Sequence, residues 1–197
     1  MKFKLFGTEI YISFLFAAII TLMLATDRTG LMLPCLFAII VHEMGHLFAM
    51  WVLDVAPKQV RLIPASVQIV TPITVNYKND IKVALFGPIV NFILFFVLYF
   101  NYLAFKNEIV LYYSLINLLV GIFNSLPVLG LDGGKIIFSI LAKKTNPDKA
   151  AITLKITTFI LALSVIIVAV ILTVKGKVNI SLYIIGIYLI TMSLIKK

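Results

Sequence analysis

Long apolar runs separated by short polar segments dominate this sequence. Since a helix needs about 20 apolar residues to cross a bilayer, each run is long enough, or nearly so, to span a membrane. The six runs cover residues 10–25, 31–53, 83–105, 109–129, 156–174 and 178–195. A soluble domain of 197 residues could not bury this much apolar surface, because 62% of the residues are hydrophobic and only 13% are charged. The pattern excludes a soluble globular fold and predicts a polytopic membrane protein.

Two connections between the runs carry signals of regular structure. Val, Ile and Thr are frequent in residues 60–77, and within this connection residues 67–70 and 73–75 are predicted to be short strands. Pro72 has no backbone N–H to donate, which favours an edge strand. Asn146, followed by a proline and an acidic residue, predicts a helix start. The expected fold is all-α, with six transmembrane helices and a short membrane-associated β-hairpin between spans 2 and 3.

The distribution of basic residues predicts the orientation. With six spans and a cytosolic N-terminus, 13 of the 17 basic residues lie on the cytosolic side. This asymmetry is what the positive-inside rule favours in a cytoplasmic membrane. The basic residues do not form a patch interleaved with aromatics, so nucleic acid is not an expected partner despite the net charge of +9. We expect one membrane domain over residues 1–197, with the lipid bilayer as its surroundings.

The second run contains the sequence His42-Glu43-Met44-Gly45-His46. On a helix the two histidines lie one turn apart on one face, about 6 Å along the axis. Two imidazoles at this spacing can bind one Zn²⁺, and the glutamate after the first can take a proton from a zinc-activated water. These are the only two histidines in the chain. The motif predicts His42 and His46 as metal ligands and Glu43 as the catalytic base.

A catalytic zinc site usually has three protein ligands and one water, so a third ligand is expected. Cys35 precedes His42 by seven residues and cannot reach the same ion from the same helix. The third ligand is therefore expected among the carboxylates. Asp132 is favoured because it ends an apolar run and precedes Gly133-Gly134, where the backbone can turn the carboxylate back into the bundle. The other carboxylates lie at membrane edges or on the non-cytosolic side.

The combination of motifs resembles the site-2 protease family of intramembrane zinc metalloproteases. The two histidines of the second run are followed by Asn124-Ser125-Leu126-Pro127 and then by Leu131-Asp132-Gly133-Gly134. The compact layout is most similar to the stage IV sporulation protein FB branch, which cleaves a sporulation sigma-factor precursor. Neither the CBS domain of that branch nor an inserted PDZ domain is expected in residues 1–197. Gly87-Pro88 and Asn91 also match the family pattern, and a kink with a packing hydrogen bond is their structural alternative.

The resemblance implies an intramembrane zinc metalloendopeptidase with one Zn²⁺, bound by His42, His46 and Asp132. Its substrate would be a membrane-associated regulatory precursor, with the active site toward the cytosolic side of a prokaryotic membrane. Regulatory membrane proteins are further expected partners. Asn124 is a candidate for oxyanion stabilisation, with an interhelical hydrogen bond as the alternative role. A zinc-binding membrane protein or transporter without hydrolytic activity is the rival interpretation, but it gives Glu43 no task.

Overall fold

The computed structural model describes residues 2–5, 8–55, 57, 59–63, 66–70 and 76–195. Within these residues the chain is mostly helical. The elements, in chain order, are β1 (Lys2–Leu5), β2 (Thr8–Ile12), α1 (Phe14–Thr26), α2 (Met32–Val52), β3 (Gln59–Ile63), β4 (Ser66–Val70), α3 (Tyr77–Phe105), α4 (Glu108–Asn124), α5 (Asp132–Lys144), α6 (Pro147–Val174) and α7 (Ile180–Ile195). The chain divides into two compact units, Met1–Ile122 and Phe123–Lys197.

The first unit contains a four-stranded sheet in the order β1-β2-β3-β4 within the described residues. β1 and β2 are antiparallel, as are β3 and β4, while β2 runs parallel to β3. Parallel strands need a long crossover connection, and helices α1 and α2 form the connection between β2 and β3. The predicted strand 67–70 falls within β4, but its neighbour is β3, and the predicted strand 73–75 lies outside the described residues.

The N-terminal strands differ from the sequence prediction. The first apolar run was expected to be helical from residue 10, whereas Thr8–Ile12 is a strand and the helix starts at Phe14. Residues 9–12 pair with β3, which lies about 50 residues later in the chain, and this tertiary pairing outweighs the local apolar pattern. The sheet is therefore larger than the predicted hairpin.

Helix α2 is packed against α3 through small and polar residues. Ala38, Ala49, Ala84 and Asn91 are all buried at this pair. Small residues let helix backbones approach closely, which is how helices associate in lipid. Asp27, just before α2, accepts hydrogen bonds from the Met32 N–H and the Thr29 hydroxyl, which lower the pKa of its carboxyl.

In the second unit, α6 is packed against both α5 and α7. The Asn146 side chain accepts a hydrogen bond from the Lys149 N–H, at 2.8 Å, so the predicted helix start is confirmed. The predicted fourth run extended to residue 129, but α4 ends at Asn124 and an irregular segment follows. Thr158 of α6 accepts a hydrogen bond from the Leu129 N–H and so holds this segment in front of α5.

The helices carry their large apolar side chains outward. Phe96, Phe100, Ile160 and Ile167 are all half or more exposed, an arrangement that suits lipid rather than water. Three helices, Met32–Val52, Tyr77–Phe105 and Pro147–Val174, are long and apolar enough to cross a membrane. Shorter apolar helices occupy Phe14–Thr26, Glu108–Asn124 and Ile180–Thr191. The described helices are those of an integral membrane protein.

Candidate metal centre

Helix α2 brings the two histidines together as their spacing predicts. His42 and His46 are each only 4% exposed, and their rings meet edge to face with centroids 4.8 Å apart. Their Nε2 atoms lie 3.2 Å from each other. Two ligands of a tetrahedral zinc ion, with bonds of 2.0–2.1 Å, are separated by about 3.3 Å. The spacing of the two nitrogens therefore fits a single shared ion.

The outer nitrogens of both rings face oxygen acceptors. His42 Nδ1 lies 2.6 Å from Asn91 Oδ1, and His46 Nδ1 lies 2.8 Å from the carbonyl oxygen of Val83. Each Nδ1 must therefore carry a hydrogen and donate it. In neutral imidazoles, both Nε2 atoms then present lone pairs to each other. A metal ion bound by both nitrogens would satisfy these lone pairs, and so would a proton shared between the two rings, so the pair is compatible with a metal site.

Asp132 supplies the third candidate ligand. It is the first residue of α5 and only 2% exposed. His42 and His46 lie in the first unit and Asp132 in the second, and together they are the three ligands that the sequence predicts. Lys135, one turn later, donates to Asp132 Oδ1 at 2.8 Å. Two imidazoles and one carboxylate form a donor set typical of catalytic zinc sites, which leave the fourth position to water or substrate.

The other carboxylates that the sequence leaves open as ligands lie at exposed positions. Glu9 lies in β2, Asp54 follows α2, and Asp80 lies in the first turn of α3; all three are exposed. Asp132 is buried and these three are not, so Asp132 stays the predicted third ligand.

The two other sequence candidates lie at helix positions with partial burial. Glu43 follows His42 on α2 and is half-buried. Asn124 is the last residue of α4 and is also half-buried. Their roles remain predictions from the sequence.

Glycines Gly133 and Gly134 have a different task from the one predicted. Both lie in the first turn of α5, not in a sharp bend before it. A Cβ on Gly133 would collide with the Ser125 carbonyl, and one on Gly134 with the Val128 carbonyl. The left-handed backbone that the turn requires is provided by Gly130, at φ 92°. The paired glycines let the start of α5, and with it Asp132, approach the preceding segment.

Two further glycines make room for the histidines. A Cβ on Gly45 would lie 2.8 Å from the Phe86 carbonyl oxygen, so this glycine allows α2 and α3 to pack closely. A Cβ on Gly87 would lie 2.5 Å from His46 Nε2 and 2.8 Å from His42 Cε1. Sequence reasoning favoured packing for Gly87 and Asn91, whereas the structure places both against the imidazoles. Gly87 and Asn91 lie four residues apart on α3, and this spacing could have indicated that both face the same neighbouring helix.

We expect Gly87→Ala to weaken zinc binding by about tenfold or more, because the added methyl group must displace the imidazoles. The fold should persist, since alanine favours a helix over glycine. Zinc affinity of the purified protein, measured by competition with a chelating dye, checks this result. Gly121→Ala is the matched control, because its Cβ would meet the Phe92 ring instead. Equal zinc affinity in the two variants would contradict the assignment of Gly87.

Comparisons with known proteins point the same way as this geometry. Residues 106–167 match the model of peptidase family M50. Zinc metalloprotease MJ0392 of Methanocaldococcus jannaschii is 28% identical over 154 residues, which cover 72% of this chain and 45% of that protein. The chain thus spans about half the length of this curated relative. These findings support the site-2 protease family and a zinc metalloprotease.

A solved structure shares the fold. The site-2 protease from Methanocaldococcus jannaschii aligns with a TM-score of 0.69 and 22% sequence identity. The alignment covers 98% of this chain and 93% of that chain. The chain therefore shares the fold of this site-2 protease.

Proposed function

We propose that this chain is an intramembrane zinc metalloendopeptidase that hydrolyses a peptide bond within or next to a membrane segment of a regulatory precursor. The observation that carries the proposal is the pair of buried Nε2 atoms, 3.2 Å apart, whose outer nitrogens both donate to oxygen acceptors. A pair of this kind is suited to binding a metal ion, and Glu43 adjoins it in sequence. The family match and the metalloprotease relative support peptidase chemistry.

In this proposal His42, His46 and Asp132 bind the metal through two nitrogens and one carboxylate oxygen. When bound, zinc polarises the attacking water and the scissile carbonyl. Glu43 accepts a proton from the water and later donates it to the leaving amine nitrogen. The peptide C–N bond breaks and the elements of water are added to its two ends, which yields a carboxylate and an amine. Asn124 is proposed to donate a hydrogen bond to the developing oxyanion.

We further propose six spans formed by α1, α2, α3, α4, α6 and α7, with the N-terminus in the cytosol. The excess of basic residues on the resulting cytosolic side supports this orientation. It places the sheet and α5 at the cytosolic side, and the active site opens toward that side. Water and a soluble portion of the substrate then reach the metal from the cytosol.

The edge of the sheet suggests how a substrate is held. A transmembrane helix conceals its peptide bonds in its own hydrogen bonds, so it must unwind before cleavage. In the described residues β4 is the last strand of the sheet, with β3 as its neighbour. We propose that the unwound substrate adds to β4 as a further strand, because an edge strand offers unpaired N–H and C=O groups.

Proline at Val67 or Ile69 is expected to reduce cleavage strongly while zinc content stays normal. These residues lie two apart in β4, so their N–H groups point to the same side of the strand, and proline removes that donor. Immunoblots of substrate and product, together with zinc content, measure the effect. Asn179→Pro, outside the sheet and after α6, is the control. Normal cleavage by both strand variants would remove strand addition from the mechanism.

The substrate is proposed to be a membrane-tethered precursor of a transcription regulator. A sporulation pro-sigma factor is the first one to test, because the motif layout resembles the sporulation branch. Regulatory membrane proteins are proposed as additional partners. The test is co-expression of such precursors with the wild-type chain and with Glu43→Gln, in which cleavage should occur only with the wild type. A precursor cleaved equally by both would not be a substrate.

A further inference from the structure

We propose that Asn91 is a positioning residue that holds His42 as a ligand for the metal, and that Asn117 in turn fixes Asn91. The inference deepens the proposed function and rests on its metal site. All of these residues belong to the first unit, on α2, α3 and α4. Both asparagines are fully buried, although an amide without partners is costly to bury.

The orientation of the Asn91 amide follows from its partners. Asn91 Nδ2 lies 3.0 Å from the Ala38 carbonyl oxygen, which can only accept a hydrogen bond. The nitrogen of the amide must therefore face Ala38, and the oxygen must face His42. That oxygen lies 2.6 Å from His42 Nδ1. Because an amide oxygen only accepts, His42 must donate from Nδ1.

The orientation of the Asn117 amide likewise follows from its hydrogen-bond partners. Its Nδ2 lies 2.8 Å from the Tyr113 carbonyl oxygen, so the amide nitrogen faces its own helix. Its Oδ1 then accepts the second hydrogen of the Asn91 amide, at 2.9 Å. Two backbone carbonyls, on α2 and on α4, thus determine the direction of every hydrogen bond in the chain Asn117–Asn91–His42.

The consequence is a single tautomer of His42. With Nδ1 protonated, the lone pair lies on Nε2, which faces the other histidine. His46 reaches the same state differently, because its Nδ1 donates to the backbone carbonyl of Val83. Substitution of Asn91 on α3 can therefore remove the acceptor of His42 Nδ1. The acceptor of His46 Nδ1 is a backbone carbonyl, so the same substitution leaves it in place. This asymmetry provides an internal control.

Nitrogen NMR of histidine-labelled protein tests the tautomer directly, since the chain has only two histidines. In metal-free protein we expect both residues as the Nδ1–H tautomer, because each Nδ1 faces an oxygen acceptor. In Asn91→Leu, the His42 signals should shift toward a tautomer mixture while those of His46 stay in place. A wild-type His42 protonated on Nε2 would overturn the proposal, as would unchanged His42 signals in Asn91→Leu.

Zinc affinity provides the second measurement. We expect Asn91→Leu to weaken zinc binding about 10–100-fold, the usual cost of losing a partner of a metal ligand. Asn91→Asp keeps an oxygen acceptor for His42 and should lose less affinity than Asn91→Leu. A packing role predicts the reverse, because leucine is the better tolerated side chain in a buried helix contact. The reverse order would therefore reject positioning.

Two further variants complete the test. Asn117→Leu should weaken zinc binding less than Asn91→Leu does, and the double variant should be no weaker than Asn91→Leu alone, because Asn117 acts through Asn91. Ser114→Ala is the matched control: Ser114 is fully buried on α4 and donates to the Phe95 carbonyl of α3, away from His42. The proposed hydrogen-bond chain would be contradicted if the losses of zinc affinity in Asn91→Leu and Asn117→Leu added up in the double variant. It would also be contradicted if Ser114→Ala lost as much zinc affinity as Asn117→Leu.

These readouts separate this inference from the peptidase proposal. If the protein binds zinc with the expected dependence on Asn91 but cleaves no precursor, positioning stands and peptidase activity falls. If cleavage occurs but His42 keeps its tautomer in Asn91→Leu, the peptidase proposal stands and positioning falls.

Discussion

Replacing Glu43 with glutamine is expected to abolish proteolysis while the protein keeps one zinc ion. Glutamine preserves the size and much of the polarity of the side chain but cannot accept the proton of the attacking water. A general base contributes about 10²–10⁴-fold to the rate, so cleavage should fall by at least that factor. The measurements are an immunoblot of a co-expressed membrane-tethered precursor and the zinc content of the purified protein by atomic absorption.

Glu108→Gln is the matched control for this substitution. It makes the same chemical change at an exposed position in the first turn of α4. Cleavage and zinc content should both remain at wild-type levels. A Glu43→Gln protein that still cleaves would end the general-base assignment. A zinc-bound wild type that cleaves no precursor of any class would favour the rival interpretation, a non-hydrolytic zinc-binding membrane protein.

Asp132→Asn is expected to remove most of the zinc. The amide is a weaker metal ligand and carries no charge to offset that of the ion. Loss of an outer partner alone costs about 10–100-fold in metal affinity, so loss of a direct ligand should exceed about 100-fold. Atomic absorption of purified protein measures the content. A thermal melt with and without added zinc gives a second measurement, because a tightly bound ion raises the apparent stability of the folded state.

The control for Asp132→Asn is Asp148→Asn, an exposed residue in the first turn of α6. It should keep its zinc and its zinc-dependent rise in melting temperature. Unchanged zinc in Asp132→Asn would show that another carboxylate completes the site. Glu9, Asp54 and Asp80 would then be tested in turn by the same substitution to the amide.

Features that depend on near neighbours in the chain could be predicted from the sequence. A spacing of four residues places His42 and His46 on one helix face, whatever the rest of the protein does. The cap at Asn146 likewise depends on the three residues that follow it, and the structure has it where predicted. The apolar runs indicate where long apolar helices lie, because the bilayer imposes one length and one composition on any span.

Element boundaries were less predictable than the elements themselves. The first run begins inside a strand, Thr8–Ile12, and the helix of the fourth run ends at Asn124 rather than at residue 129. The helix α5, Asp132–Lys144, was not foreseen as an element. It is shorter and more polar than a span, so an apolar-run criterion does not detect it. The strand was missed because its stability comes from pairing with β3, which local composition does not encode.

By itself the sequence determined the membrane class and predicted the two imidazole ligands and the acid beside them, since helical periodicity and the cost of burying charge in lipid act locally. Only the tertiary structure decided which groups surround those imidazoles. It identified the Val83 carbonyl and Asn91 as the acceptors for the outer nitrogens, and Gly87 as the residue that leaves space for both rings. The physical reason is that a hydrogen bond or a close contact between helices depends on their separation and rotation. Those are set by the packing of many side chains at once, and no short motif contains them.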